Sequence, residues 1–431
     1  MFAPVLLTTI ILVAQPAAAA DLENQVRELV RQLSAETVEE RDAAEKHLLE
    51  LGTPILDHLP IPNSRMPAEM RQRMERIRLR LQQQRAEASV GGTLVTLKID
   101  QRPLSEVIST LEKLSGNKIA SRLAVPVEGQ GGAATEPVIT LDVKDVPFLR
   151  VLDQVLDQAH LTLDSFATTD DGKPLKSLVV MAPLAPLLPR AARTHYSGAF
   201  RFEPLSITGK RGLADPAESV LQVQLETQWE PRLAPITMTF PRESLSVKFD
   251  DGTKAGSARQ GSELLGTRAA GSRFPLHMEL PPRQATRIEQ IAGNLKVLLP
   301  GRVETFRFGP LPGPGKYREK KAEVTVFVDR VAKNADAWEV FVRLKFDDAA
   351  GALQSHLLDW VEDNPAWLES ADGKKMEPGS YQPTQEGESE YGISYLFPLT
   401  GDIQGYTFVY STPAALVEKT IPFAFKNLDL P

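Results

Sequence analysis

The chain has 431 residues, 42% apolar and 24% charged, an ordinary globular mixture that excludes both wholesale disorder and a bundle of membrane helices. Forty-nine Lys and Arg against 56 Asp and Glu leave a net charge of −7, which argues against wholesale nucleic-acid binding. The absence of cysteine excludes disulfides, thiol catalysis and Cys-ligated metals, and the length predicts several domains.

Val5 to Ala14 form an apolar run, followed by Gln15, Pro16 and the small residues Ala17 to Ala20 before Asp21. This layout predicts a secretory signal peptide over residues 1–20, cleaved after Ala20, and a periplasmic or secreted mature chain. The run is shorter than the roughly 20 apolar residues that span a bilayer. Because the first four residues carry no Lys or Arg, an uncleaved anchor remains the alternative. No later segment has the length or purity of a transmembrane helix, since prolines at 183 and 186 interrupt Leu178 to Leu188.

Residues 21–88 have a helical period. Leu22, Val26, Leu29, Val30 and Leu33 share one face, Thr37 and Glu40 read as a capping box for a second helix ending before Gly52, and Met70, Met74, Ile77 and Leu81 stripe a last one. The stretch "LVRQLSAETVEERDAAEKHLLELGTPILDHL" resembles a HEAT-like helical hairpin, which implies helices that bury their apolar faces on neighbours.

At Gly91 the period changes to strand, Pro-led helix and return strand. Thr96, Leu97, Ile99, Pro103, Leu104, Val107, Ile108 and Leu111 recur 44 residues on as Thr140, Leu141, Val143, Pro147, Phe148, Val151, Leu152 and Val155. A duplicated β-α-β module over 92–181 is predicted. Its paired phrases, "VTLKIDQRPLSEVISTLEKLSGNKI" and "ITLDVKDVPFLRVLDQVLDQAHLTL", resemble the short N-terminal domain of secretins and TonB-dependent receptors. The resemblance implies two small helices on small sheets and a periplasmic protein-contact role without catalytic residues. The pore or barrel that follows in those families has no counterpart here.

Pro183, Pro186 and Pro189 mark a stiff linker over 182–195, beyond which the pattern is β. Leu221, Val223, Leu225, Thr227 and Trp229 alternate with Gln222, Gln224, Glu226 and Gln228, as in a half-buried strand. Trp338, Val340, Val342, Leu344 and Phe346 alternate in a second block. Each block has an Asp-Gly turn and ends in an aromatic strand, "TFRF" or "PFAF". Two antiparallel, Ig-like β-sandwiches, 196–314 and 316–431, are predicted, the second resembling a copy of the first. The fold class is thus multidomain α+β: helical hairpins, a duplicated β-α-β module and two sandwiches.

Chemical motifs are sparse. His47, His58, His160, His195, His277 and His356 form no zinc spacing, and His277 is expected to face solvent. No Gly-x-Ser-x-Gly elbow or phosphate loop occurs, and Asp170-Asp171 and Asp250-Asp251, each followed by Gly, read as turns rather than calcium loops. No catalytic residue, cofactor or metal site is assigned. Seven arginines, at 65, 71, 73, 76, 78, 80 and 85, concentrate in one helix. Arg71, Arg73, Arg78, Arg80 and Arg85 are candidate contacts for an anionic partner, with a solvated helix face answered by neighbours such as Glu45 as the alternative. The loop Val127 to Pro137 is a second candidate surface.

The sequence therefore predicts a non-catalytic extracytoplasmic adaptor or scaffold that binds an unidentified envelope protein and no nucleic acid. One alternative is a carbohydrate- or cell-wall-binding protein using Trp360 and Trp367, with Trp338 held in the core. Another is a hydrolase whose acidic residues converge only in the fold.

Overall fold

The structure, a computed structural model, describes residues 16–122, 136–184, 190, 193–311, 317–349, 352–353 and 359–431. The apolar run of the expected signal peptide, Val5 to Ala14, lies outside these residues, as does almost all of the Val127 to Pro137 loop. The chain divides into two compact units between Ala88 and Ser89.

The first unit is helical: α1 (Pro16–Gln32), α2 (Val38–Leu51), a 3-10 turn (Thr53–Asp57) and α3 (Ala68–Ser89). Helix α1 starts ahead of the expected cleavage point. Thr37 caps α2: its hydroxyl accepts the Glu40 N–H and donates to the Glu40 carboxylate, so the box closes through the hydroxyl. Gly52 ends α2 with φ of 72°, a left-handed value that favours glycine. Val26, Leu29 and Leu33 meet Ala44, Leu48, Ile55, Leu56, Met74, Ile77 and Leu81 in one core.

The second unit opens with β1 (Leu94–Pro103), α4 (Leu104–Ser115), β2 (Ile119–Ser121), β3 (Val138–Pro147), α5 (Phe148–Ala159), β4 (Thr162–Asp164) and β5 (Leu178–Met181). Strands β1 and β3 pair antiparallel as a two-stranded ribbon, and β2, β5 and β4 form a three-stranded sheet. Leu104, Val107 and Leu111 from α4 and Val151, Leu152 and Val155 from α5 fill the core between them.

The β region follows: β6 (His195–Ser197), β7 (Phe200–Lys210), β8 (Val220–Trp229), β9 (Thr237–Pro241), β10 (Ser246–Phe249), β11 (Lys254–Ala255), β12 (Ser262–Leu265), β13 (Gly271–Met278) and β14 (Arg287–Phe308). Then come β15 (Tyr317–Lys321), β16 (Val324–Asn334), β17 (Ala337–Phe346), the one-turn helix α6 (Asp359–Glu362), β18 (Ala366–Glu369), β19 (Lys375–Met376), β20 (Ser380–Glu386), β21 (Glu390–Phe397) and β22 (Thr407–Asp429).

These strands build sandwich-like layers with an unexpected connectivity. Strands β14 and β22 pair without a register break from Arg287 opposite Asp429 to Phe308 opposite Phe408. Odd-numbered side chains of this ribbon, Ile291, Leu295, Val297, Leu299, Phe423 and Phe425, enter a core shared with β7, β8 and β13. Even-numbered ones further along, Phe306, Phe308, Phe408 and Tyr410, enter a second core shared with β16, β17 and β21. Since strand side chains alternate faces, one continuous sheet serves two cores from its opposite sides. The expected division into 196–314 and 316–431 is corrected accordingly: "TFRF" completes the second core and "PFAF" the first, and residues 89–431 are one unit. Gly293, opposite Phe423 in this ribbon, makes room for that ring in the first core, because a Cβ there would stand 2.6 Å from it.

The alternation in β8 also stops early. Leu221, Val223 and Leu225 are buried with half-buried Gln222 and Gln224 between them, but every residue from Glu226 to Glu230 is buried. The polar face of β8 is covered there by the 92–181 module. Glu230, 0% exposed, accepts hydrogen bonds from the Thr93 N–H (2.7 Å), Thr93 Oγ1 (2.6 Å), Asn117 Nδ2 (3.1 Å) and Arg232 Nε (2.7 Å). Glu226 accepts from Ser165 Oγ (3.0 Å) and Arg273 Nε (2.7 Å).

A buried ionic cluster reinforces the junction. Asp153 on α5 accepts from Arg201 Nε on β7 and from Tyr196 OH on β6, each at 2.6 Å, with Arg190 Nε at 3.5 Å. Burial pushes the Asp153 carboxyl up while Arg201, Tyr196 and Arg190 hold it down. Burial is the larger effect, and the two cations are shared among three acids, since Arg190 also pairs with Asp157 and Arg201 with Glu203.

His277 corrects the expectation of a solvent-facing residue: it is buried, and its Nδ1 has no hydrogen-bond partner among the described residues. The edge of β13 is covered by the Ser257–Ala258 segment, whose Ala258 N–H donates to the His277 carbonyl (2.9 Å). Burial lowers the pKa of both His277, where Arg259 adds repulsion, and His195, which packs near Phe202 and Phe425. The unfolded chain then binds more protons at these sites than the folded one. Stability is complete above the ordinary histidine pKa of about 6.5 and falls as pH drops through it toward the folded values. The urea midpoint of the second unit is expected to be lower at pH 5.5 than at pH 7.5; an equal or higher midpoint contradicts this.

Candidate functional site

Three places answer the expectations. The first is the arginine helix α3. Arg73, a candidate contact for an anionic partner, is instead buried, and its guanidinium donates to Asp42 (2.7 Å), Glu45 (2.8 Å) and Glu69 (3.1 Å). Arg76 makes a two-point contact with Glu45, both bonds 2.8 Å, and the two arginines hold the Glu45 carboxyl below its usual range. Arg78 donates to the carbonyls of Leu56 (3.4 Å) and Leu59 (2.8 Å), where the 3-10 turn leaves acceptors unsatisfied, and Arg85 lies 3.5 Å from Asp57. Arg71 and Arg80 have no side-chain partner among the described residues. The cluster is therefore largely internal, fastening α3 to α2 and to the turn. Arg73→Ala is expected to lower the stability of the first unit by about 1–2 kcal/mol, and Arg80→Ala to leave it unchanged. Equal thermal melts for the two variants would contradict this assignment.

The second place is the β1/β3 ribbon. No third strand joins it among the described residues, so each strand presents an outer edge. Leu94 is 62% exposed and Val138 61%. The β3 edge is capped at Thr140, whose N–H donates to Gln158 Oε1 (3.2 Å) while its carbonyl accepts from Gln158 Nε2 (3.1 Å). At the position of α4 44 residues earlier stands Leu114, which offers no such cap.

The third is a cleft of about 440 Å3 in the β region. It lies on the odd-numbered face of the β14/β22 ribbon where Val303, Ser411 and Pro413 line it, beyond the part of that face facing the first core. Its other walls come from the segments 229–237, 264–269 and 360–365. Trp360 lines it; its ring packs edge-on against Phe346 at 5.7 Å and its Nε1 donates to the Ala352 carbonyl (2.9 Å). Trp367 does not line the cleft, and its ring carries Lys375 Nζ at 4.4 Å. Trp338 is half-buried against the second core, with its Nε1 donating to Gly401 O (2.9 Å).

The Asp-Gly pairs sit in turns. Asp251 accepts from the Thr253 N–H (2.9 Å) and hydroxyl (2.6 Å), and Gly172, Gly252 and Gly373 all have positive φ. No group of three or more metal-capable side chains converges among the described residues, and no helix there is long and apolar enough to cross a membrane.

No family model matches the chain, and no curated protein matches it. Among solved structures, it has a slight similarity to the crystal structure of the conserved domain protein from Bacillus anthracis. The TM-score is 0.17 at 6% identity, covering 55% of this chain and 89% of that one, a likeness too small to carry an argument.

The sequence signals missed Glu230, Asp153, Arg201 and Asn364. Asp153 lies in α5, Arg201 in β7 and Glu230 just after β8, where the local pattern reads as solvent-facing, and only the packing of distant segments buries them.

Proposed function

We propose that the chain is a non-catalytic adaptor of the cell envelope that engages a partner protein through the β1/β3 ribbon. The observation that carries this reading is the ribbon's outer edge along β1, which no further strand pairs among the described residues: such strand backbone beside exposed apolar side chains is a surface on which a partner strand adds.

The resemblance to the short N-terminal domain of secretins and TonB-dependent receptors belongs to the same proposal, together with duplication of its β-α-β unit. Matched details support the duplication. Lys98 pairs with Asp142, its own equivalent 44 residues on, while Leu97 faces Val143 and Ile99 faces Leu141. The Leu104 N–H donates to the Pro137 carbonyl as the Phe148 N–H does to Thr93. Left-handed residues recur at the same offset, Gln101 with Asp145 and Gly116 with His160. The export signal over residues 1–20 fits an envelope location.

The test is cross-linked capture from envelope extract with the full mature chain. A partner captured by the wild type is expected to be lost with Leu94→Asp, an exposed position whose change leaves the core intact, and kept with Asp363→Ala in the cleft. Capture unaffected by Leu94→Asp and Val138→Asp, or no protein captured, would sink the proposal.

A further inference from the structure

We propose that the cleft lined by Trp360, Asp363 and Asn364 binds a saccharide. The inference goes beyond the adaptor reading and stands apart from the ribbon that carries it.

Its size lies within the roughly 300–1,000 Å3 of small-molecule sites. The chemistry of its walls selects the ligand. Asn364 is 8% exposed; its Nδ2 donates to Tyr410 OH (2.8 Å) and Thr412 Oγ1 (3.0 Å), while its Oδ1 accepts from no donor among the described residues. Beside it in the chain, the exposed carboxylate of Asp363 has no partner among the described residues. Pro231, Pro235, Pro365 and Pro413 contribute wall without any backbone N–H. Trp360 already uses its Nε1 on Ala352, so its ring contributes an apolar face.

Around Trp360, Asp363 and Asn364 the cleft thus presents acceptors and an aromatic face, while Arg268 and the hydroxyls of Thr237, Thr267 and Ser411 line its other walls as donors. The matching ligand has several O–H donors on one side and a flat C–H face on another, which describes a sugar ring. An apolar ligand would leave Asn364 Oδ1 desolvated and unpaired. An extended peptide would find no strand-like ladder in walls broken by prolines. Lys176, exposed at the rim, supplies a donor for a ring oxygen or a uronate carboxylate.

The experiment is saturation-transfer NMR of the full chain with chitotriose, cellotriose and tri-galacturonate, followed by titration. At least one trisaccharide is expected to bind. Asp363→Ala is expected to weaken it by roughly tenfold or more, the loss of a hydrogen bond to a charged acceptor, with an unchanged melting temperature. Trp360→Phe is expected to weaken it as well while keeping the core filled. Binding by a neutral sugar alone or by the uronate alone both support the site and tell its charge preference. No transfer from any of the three at millimolar concentration, or affinity equal in Asp363→Ala and wild type, overturns it. Neither outcome touches the Leu94→Asp result.

Discussion

Replacement of Arg201 by Met is expected to destabilise the second unit by about 3–5 kcal/mol, because it leaves the buried carboxylate of Asp153 with one cation at a longer distance. Asp153→Leu is expected to cost a similar amount, since it strands the Arg201 guanidinium among Glu203 and Gln228 alone. The double variant is the informative one. Apolar side chains of similar volume remove both desolvation penalties at once, so the pair is expected to unfold closer to the wild type than either single does. Urea unfolding of all four proteins measures this cycle. Additive losses, or single variants within experimental error of the wild type, would show that the cluster does not join module to β region as argued. The same cluster, with Glu226 and Glu230, makes the 92–181 module an integral part of the second unit. Deleting it is therefore a poor way to probe its role; point changes on the ribbon are better.

The second large effect concerns the last strand. The Phe423 ring lies 5.2 Å from Phe202, 6.1 Å from Phe240 and 6.3 Å from Phe274, centroid to centroid, so Phe423→Ala is expected to cost about 3–5 kcal/mol. A fragment ending at residue 314 lacks the whole of β22 and is expected to show no cooperative thermal transition for the first core. Addition of a peptide covering 407–431 is expected to restore one, because the missing strand pairs along the full length of β14. A fragment 89–314 that melts cooperatively at the wild-type temperature without the peptide would contradict the shared-sheet architecture.

Local rules determined much of this chain. The 3.6-residue stripes of α3, α4 and α5, the Thr37 cap, the glycine at position 52 and the period-2 core faces of β8 and β17 follow from side-chain spacing and backbone preference, which act over a few residues. The 44-residue recurrence in 92–181 was likewise legible, as was the turn chemistry of the Asp-Gly pairs. Tertiary structure alone decided the rest. Alternation along β14 and β22 specifies two faces but not which sheet covers each, so the exchange of "TFRF" and "PFAF" between cores depended on a pairing more than 100 residues apart in sequence. Arg73, Asp153, Arg201 and Glu230 have the composition of solvent-facing residues. They are buried because their charge partners arrive from other elements, and a single sequence carries no local trace of a partner brought by folding. The cleft has the same origin: Trp360, Asn364 and Ser411 meet only where the shared ribbon leaves one core for the other.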